Sequence, residues 1–477
     1  MPLKANYRLG FSPLEEELEF DTLPVEGEVP PWLRGTLFRN GPGTWKAGKD
    51  KLRHWFDGLA MLHRFGFHRD RISYANRYLR SLQYRHVQRE GRIGYSEFAT
   101  DPCRSIFKRL ISAFSPERSF GSNASVTVHK LASRFVALTE TPLPVEFDPE
   151  TLETIGVVEY GDGVEGIGTS PHPHVDPTSG DALNTITHFS RQSEYRIFRL
   201  PAGTGTPHRK IVARIPAQEP AYMHSFGQTE RHVVLAEYPL VVNPLSMLLT
   251  GKSYAENLEW KPERPTRFHV VDKERGELIG VCETEPFFAF HHINAFERDG
   301  EIFADLLAYP DDAVIREHYM DKLVSGKGPT AAAELRRYRL RSSGSASYET
   351  LTHEPLELPR ISYEDYNGRD YTYVYGIGQG SIVGGWPDRL VKVNVRDSST
   401  RVWFEEDCYP GEPVFVPAPD RRGEDSGVVL SVVLDAVAET SFLLVLDAAS
   451  FTEVARARVP HHIPFGFHGQ YFGEGEG

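Results

Sequence analysis

Short runs of alternating hydrophobic and polar residues recur from about residue 35 to the C-terminus, and Gly, Pro, Asn and Asp separate them. Alternation with a period of two is typical of β-strands that bury one face. Convincing helical periodicity is rare along the chain. The pattern therefore predicts a mostly β protein.

One unit repeats through this pattern: an alternating strand, a polar turn and a second alternating strand. The seven turns lie near Asp70, Asp148, Gly203, Asp272, Ser343, Asp397 and Asp447. Their mean spacing of about 63 residues suits a four-stranded propeller blade with one longer loop. We therefore predict an all-β, seven-bladed β-propeller that forms a single domain over residues 1–477. Two β-sandwiches are the alternative, but no Pro/Ser-rich linker divides the chain.

Two segments, at about 101–118 and 238–256, interrupt the β pattern. In Cys103–Phe114 a helical stripe of apolar residues lies beside three basic ones, which suits a helix in a lipid interface. Pro239–Thr250 is apolar and interrupted by Pro, so we interpret it as a loop. The candidate membrane-docking residues are Ile106, Phe107, Leu110, Ile111, Leu245 and Leu248. Packing of both segments on the propeller body is an equal alternative.

Charge and cysteine content exclude several classes of function. The 53 Lys and Arg against 66 Asp and Glu give a net charge of −13, which argues against nucleic acid as a partner. The three cysteines form no close pair, so disulfides and cysteine-based zinc sites are disfavoured. With no signal-like N-terminus and no run of about 18 apolar residues, we expect a cytoplasmic protein with at most peripheral membrane contact. No obligate protein partner is evident.

Four of the nineteen histidines lie in apolar or Pro-bounded stretches of the kind that begins an inner strand. These are His172 in GTSPHPHVDP, His224 in AYMHSFGQT, His291 in PFFAFHHINAFE and His468 in IPFGFHGQY. They are separated by about one, one and three blade lengths, so a closed propeller would bring all four to its central channel. Four imidazoles can share one metal ion, but Fe, Zn, Cu and Ni all remain open.

Three glutamates have contexts in which an unpaired buried carboxylate would be costly: Glu140, Glu357 and Glu412. Carboxylates around a histidine site fix each ring's tautomer and raise its basicity. An ordinary surface position is the alternative for each glutamate.

These motifs resemble those of the carotenoid cleavage oxygenases over nearly the whole chain, from GEVPPWLRGTLFRNGPG (27–43) and HWFDGLAMLHRF (54–65) to HHIPFGFHG. The resemblance implies a propeller with a small helical cap over its active-site face. It also implies one ferrous ion per chain, held by His172, His224, His291 and His468, with Glu140, Glu357 and Glu412 orienting three of the rings. His174 and His292 match positions that are not ligands.

Within the family, the chain looks nearest the animal β-carotene oxygenases and the retinoid isomerohydrolase of the visual cycle. The stretches that carry this likeness are DPCRSIF (101–107), TETP (139–142), ELPRISYEDYNGRDYTYVYGIG (357–378) and EVARARV (453–459). The branch that cleaves lignostilbenes binds a phenol with a Lys and a Tyr. Thr139 and Phe98 stand at those places, so a phenolic stilbene is disfavoured.

The resemblance implies a dioxygenase that uses O2 as co-substrate to cleave a conjugated double bond of a carotenoid into aldehydes. Our first choice is the central 15,15′ bond of β-carotene, which gives retinal. Eccentric cleavage, an apocarotenoid substrate, an O2-independent isomerase and a non-enzymatic propeller are the alternatives. Aromatic faces for the polyene could come from Trp55, Phe56, Phe98, Phe287, Phe288, Phe290, Phe465 and Phe467, although core packing explains each of them equally well.

Overall fold

Antiparallel sheets form most of the regular structure in the computed structural model, which describes residues 6–102, 121–176, 179–203, 205–326, 328–380 and 385–475. The side chains of residues 248 and 249 are also not described. Four of the candidate membrane-docking residues, Ile106, Phe107, Leu110 and Ile111, lie outside the described residues, as does the side chain of Leu248.

The described strands form seven blades, so the predicted seven-bladed β-propeller is confirmed. Blade 1 contains Glu19–Phe20, Gly35–Thr44, Leu59–Phe67, Ile72–Tyr78 and Gly469–Gly473. Blade 2 contains Thr127–Leu131, Arg134–Leu138, Val145–Phe147 and Thr154–Val157. Blade 3 contains Gly168–Thr169, His174–Val175, Ala182–His188, Glu194–Leu200 and Lys210–Pro216. Blade 4 contains Gly227–Gln228, His232–Glu237, Thr266–Asp272 and Leu278–Thr284.

The remaining blades follow in chain order. Blade 5 contains His292–Arg298, Glu301–Ala308, Glu334–Leu340 and Ala346–Thr352. Blade 6 contains Glu357–Arg360, Tyr373–Gly378, Arg389–Asn394 and Thr400–Phe404. Blade 7 contains Val25–Gly27, Cys408–Pro410, Val414–Pro417, Gly427–Asp435, Thr440–Asp447 and Thr452–Val459. Two short ribbons pair Lys46–Ala47 with Asp50–Lys51 and Leu240–Val242 with Leu258–Trp260.

Each of the seven turns predicted from the sequence joins two neighbouring antiparallel strands of one blade, and in blades 2 to 6 these are the two outermost strands. In three of them an aspartate begins the turn and its side chain accepts backbone N–H groups from the residues that follow. Asp148 accepts from Glu150 and Thr151, and Asp272 accepts in the same way from Glu274 and Arg275. This local hydrogen bonding is the reason that the sequence signals the turns so clearly.

Helices are short and few in the described part of the chain: Leu82–Glu90, Pro244–Thr250, Ala313–Glu317, Met320–Leu323 and Tyr363–Tyr366. None of those described is long and apolar enough to cross a membrane. The interpretation of residues 239–250 as a loop is wrong. Asn243 caps a helix by accepting the N–H groups of Leu245 and Ser246, and Pro244 fits the first turn because no hydrogen bond is needed from its nitrogen there.

The C-terminal strand closes the ring. Gly469–Gly473 pairs antiparallel with Gly35–Thr44 and is the innermost strand of blade 1. The approach requires glycine, since a Cβ on Gly41 would lie 2.3 Å from the Cα of Gly466 and one on Gly469 would lie 2.4 Å from the carbonyl oxygen of Phe38. Closure therefore fixes the chain on both sides of residue 468.

A buried ion pair joins two strands of blade 5, and a tyrosine from between the first two strands of blade 6 is bonded to it. Arg337 donates two hydrogen bonds to Asp305, at 2.9 and 2.7 Å, and the Tyr371 hydroxyl donates a third at 2.6 Å. All three side chains are buried. Each of the two buried charges compensates the other, so removal of one leaves an uncompensated charge in the interior.

We predict that Asp305→Asn lowers the free energy of unfolding by about 3 kcal/mol, because it leaves the Arg337 guanidinium buried without a counter-charge. Urea denaturation measures the change. The matched control is Glu301→Gln on the same pair of strands, where the more exposed Arg339–Glu301 pair should contribute less than about 1 kcal/mol. Equal losses in the two variants would contradict the prediction.

Stability should also fall in acid. Burial lowers the pKa of His54 and of His63 from 6.5 to about 3, so both rings fold in the neutral form. Their contribution to stability is complete above pH 6.5 and is lost as the pH falls below 6.5 toward 3, because the unfolded chain then binds protons that the folded chain excludes. Urea midpoints at pH 8, 6.5 and 5 measure this loss. His63→Phe should reduce the slope of the urea midpoint against pH. An unchanged slope would exclude His63 as a contributor to the loss.

Candidate metal centre

The four histidines selected from the sequence meet at the centre of the ring. His172 lies between the two inner strands of blade 3, His224 lies just before Gly227–Gln228, and His291 and His468 immediately precede the inner strands of blades 5 and 1. One nitrogen from each ring lies within 4.8 Å of those of the others. The arrangement fits a metal site.

The spacing of the ring nitrogens supports this fit. The Nε2 atoms of His172 and His224 are 3.0 Å apart, and those of His291 and His468 are 3.3 Å apart. Neighbouring imidazole nitrogens on one ion, each bound at about 2.1 Å, have separations of this size. His291 and His468 are each held at Nδ1 by a carboxylate, so without a cation their unshared Nε2 electron pairs would face each other. The donor set therefore suits an ion that accepts imidazole ligands.

A carboxylate holds the far nitrogen of three of the rings. His224 Nδ1 lies 2.6 Å from Glu140, and His291 Nδ1 lies 2.6 Å from Glu357. His468 Nδ1 lies 2.7 Å from Glu412. These distances show which glutamate is bonded to which histidine. An ionised carboxylate only accepts hydrogen bonds, so Nδ1 carries the proton and Nε2 keeps its electron pair for a metal.

Glu140 and Glu357 each accept a hydrogen bond from a tyrosine hydroxyl. The Tyr222 hydroxyl donates to Glu140 at 2.5 Å, and the Tyr309 hydroxyl donates to Glu357 at 2.7 Å. Burial by itself would raise the pKa of Glu357, but its hydrogen bonds with His291, Tyr309 and the Leu358 amide keep that pKa below its ordinary value. Glu357 therefore stays ionised beside its histidine.

Glu412 is supported by charge instead. Burial would raise its pKa, yet Arg360, His468 and Arg39 hold the pKa well below its ordinary value. Arg39 Nη1 lies 2.5 Å from Glu412, and Arg360 Nε lies 3.2 Å from it. Because two guanidinium groups share this carboxylate, it draws less strongly on the proton of His468 than Glu140 and Glu357 draw on their partners.

Three of the four histidines, His172, His224 and His468, are held neutral. Burial lowers the pKa of His224, and it lowers that of His468 to about 4 although Glu412 opposes the shift. Burial, with the neighbouring rings, also places the pKa of His172 well below its usual value. Neutral rings are the form that binds a metal.

Two neighbouring histidines point to other partners. His174 is bonded at both ring nitrogens, to the Tyr363 hydroxyl and to the carbonyl of Phe226, each at 2.8 Å. His292 Nδ1 lies 3.0 Å from the Ser225 hydroxyl. Neither ring shares the cluster of four in the described residues.

A cavity with an empty volume of about 1680 Å³, including its open mouth, reaches the histidines. We call it the central cavity. Six of the candidate substrate-binding residues predicted from the sequence line its walls: Trp55, Phe56, Phe98, Thr139, Phe290 and Phe467. Phe287 and Phe288 are instead fully buried in the core, and Phe465 stacks on Trp386 at 4.9 Å. Core packing is therefore what the structure shows for these three rings.

Several residues of this site are not among those predicted from the sequence. Tyr222 and Tyr309 support the glutamates, while Tyr254, His318 and Trp386 line the central cavity. Tyr222 carries a usable signal, since it lies two residues before His224. The others lie far along the chain from the histidine motifs.

Of the candidate membrane-docking residues, Leu245 is described, and its side chain is 67% exposed on the helix Pro244–Thr250. An exposed leucine on a short helix is compatible with contact to an apolar surface, and it does not by itself identify one.

Comparison with known proteins gives a consistent result. The family model described as retinal pigment epithelial membrane protein matches residues 11–473. The mitochondrial carotenoid-cleaving dioxygenase of Mustela putorius furo is 35% identical over 517 residues, which cover 96% of this chain and 95% of that protein. The β,β-carotene 15,15′-dioxygenase of Gallus gallus is 35% identical, with 96% of each covered.

Solved structures agree with the sequence comparisons. The crystal structure of a cobalt-substituted apocarotenoid oxygenase from Synechocystis superposes with a TM-score of 0.86 at 25% identity, and 98% of each chain is covered. The same propeller is therefore found in a protein that accepts a transition metal. Since the family model and the relatives both span nearly the whole chain, this protein belongs to the family of the retinal pigment epithelial membrane protein and the carotenoid cleavage oxygenases.

Proposed function

We propose that this protein is a non-haem Fe²⁺ dioxygenase that cleaves a conjugated double bond of a carotenoid into aldehydes. The observation that carries the proposal is a four-histidine cluster, braced by three carboxylates, at the wall of a cavity lined with aromatic rings. Relatives with 35% identity are named carotenoid-cleaving dioxygenases and β,β-carotene 15,15′-dioxygenases, which supports the same reaction here.

The proposed metal is iron, one ion per chain, with O2 as co-substrate. Imidazole suits Fe, Zn, Cu and Ni, but Zn²⁺ has no redox chemistry and would not serve an oxygenase. Bound ferrous iron would supply the redox activation of dioxygen that oxidative cleavage needs. His172, His224, His291 and His468 would hold it.

The protein's own residues do three things in this proposal. Glu140, Glu357 and Glu412 hold the Nδ1 protons and so keep each Nε2 aimed at one point. The neutral rings of His172, His224 and His468 keep an electron pair free for the ion. The walls of the central cavity exclude water from the polyene and offer aromatic faces, such as those of Phe56 and Phe290, to any positive charge that develops along it.

The proposed substrate is a carotenoid, with central cleavage of β-carotene to retinal as the first choice. Apolar side chains dominate the walls of the central cavity, and β-carotene is a hydrocarbon. Eccentric cleavage and an apocarotenoid substrate remain the alternatives. Because a carotenoid dissolves in the bilayer, we also propose peripheral membrane contact, which the exposed Leu245 supports.

The first experiment is product analysis. Iron-loaded protein is incubated with β-carotene in detergent micelles, in air and under argon, while oxygen consumption is recorded. We expect an aldehyde that forms only in air, and retinal would identify the central bond. Intact or merely isomerised β-carotene with iron bound would contradict β-carotene as the substrate and favour an apocarotenoid, another alkene or the isomerase alternative. His291→Ala is the negative control, since it should lose both iron and turnover.

We predict that Glu357→Gln lowers iron affinity by about 10- to 100-fold without removing the site. The amide cannot hold the Nδ1 proton of His291 as a carboxylate does, so the ring loses its fixed tautomer. Iron content after dialysis against graded chelator measures the change. Glu349→Gln, at an exposed position of blade 5, is the matched control and should leave iron affinity unchanged. Equal iron content in the two variants would exclude this role for Glu357.

A further inference from the structure

His318 is a polar side chain in an aromatic part of the central cavity. It directly follows the helix Ala313–Glu317, and its ring lies 5.3 Å from that of Trp55, 5.9 Å from Phe56 and 6.5 Å from Phe290. It lines the same cavity as the candidate metal ligands. The candidate metal centre described above assigns no role to His318.

The hydrogen bonding of His318 differs from that of its neighbour His54. His54 is satisfied at both nitrogens, by the carbonyl of Ile315 at 2.9 Å and by the amide of Phe56 at 3.2 Å. In the described residues, the His318 side chain makes no hydrogen bond, and its Nδ1 is enclosed without a partner. Nδ1 is the enclosed nitrogen and the ring lines the central cavity, so we infer that Nε2 is the nitrogen that a ligand in the cavity reaches.

An unsatisfied polar group inside a protein is costly and calls for a partner. Burial lowers the pKa of His318 to about 4, so the ring is neutral near pH 7 and carries one N–H and one electron pair. In one tautomer Nε2 donates to a carbonyl oxygen, and in the other it accepts from a hydroxyl group. A purely hydrocarbon ligand would offer neither bond and would leave the ring unsatisfied.

We propose that His318 is a specificity-determining residue that hydrogen-bonds a carbonyl or hydroxyl oxygen of the polyene, so that the protein prefers an oxygenated apocarotenoid to a hydrocarbon carotenoid. This inference rests on the proposed function of the central cavity as the polyene site, and within that function it favours the apocarotenoid alternative over β-carotene. The substrate that it implies is unsymmetrical, because one end must carry an oxygen atom. The ring of Phe290 lies 6.5 Å from that of His318 and 6.2 Å from that of the candidate ligand His291.

Binding tests the inference without turnover. Quenching of tryptophan fluorescence reports ligand entry, because Trp55 and Trp386 lie 5.3 and 6.4 Å from His318. The probes are β-carotene, 8′-apo-β-carotenal and the corresponding alcohol, each in detergent under argon. We expect His318→Phe to weaken binding of the aldehyde and the alcohol by about tenfold and to leave that of β-carotene unchanged or tighter. An equal change for all three probes would overturn the inference.

Two further variants complete the design. His318→Gln keeps a hydrogen-bonding group near the place of Nε2 and should restore part of the preference for the oxygenated probes. His208→Phe makes the same substitution at an exposed position and should change nothing. Thermal unfolding of each variant reports its folded state. Wild-type protein that prefers the oxygenated probes but consumes no oxygen with any of them would defeat the proposed function alone, whereas turnover without a His318 effect would defeat this inference alone.

Discussion

Closure of the propeller ring is the constraint on which the rest of the structure depends. Pairing of Gly469–Gly473 with Gly35–Thr44 brings His468 beside three histidines that precede it by as many as 296 residues, as His172 does. The backbones meet at glycines because no Cβ fits between Gly41 and Gly466. The same strand closes the ring and positions His468. Weakening this pairing would therefore both displace one candidate ligand and destabilise the fold.

Each blade contributes one residue to the metal centre. Blades 1, 3, 4 and 5 supply the histidines, and blades 2, 6 and 7 supply Glu140, Glu357 and Glu412. The supports are unequal, because tyrosine hydroxyls steady the first two carboxylates and two arginines neutralise the third. Because Glu412 is completely enclosed, its charge needs the two arginines as counter-charges.

The central cavity combines two opposed requirements. A polyene needs apolar walls, which the aromatic side chains provide, while recognition of one end of a ligand needs a polar group that is not already occupied. Most polar groups near the metal centre are bonded to protein, including both nitrogens of His174 and of His54. His318 differs from them in having no such bond among the described residues, which makes it the natural point of discrimination between ligands.

The sequence by itself determined the propeller, because local hydrogen bonding at turns such as those of Asp148 and Asp272 and two-residue alternation are written into neighbouring positions. It also selected the four histidines and three glutamates, whose contexts and blade-length spacing are visible along the chain. Only the tertiary structure paired each glutamate with its histidine and brought Tyr309 and His318 into the central cavity. The glutamate–histidine pairs and the Tyr309–Glu357 bond join residues 48 to 84 positions apart through the packing of whole blades, and no local pattern encodes such packing.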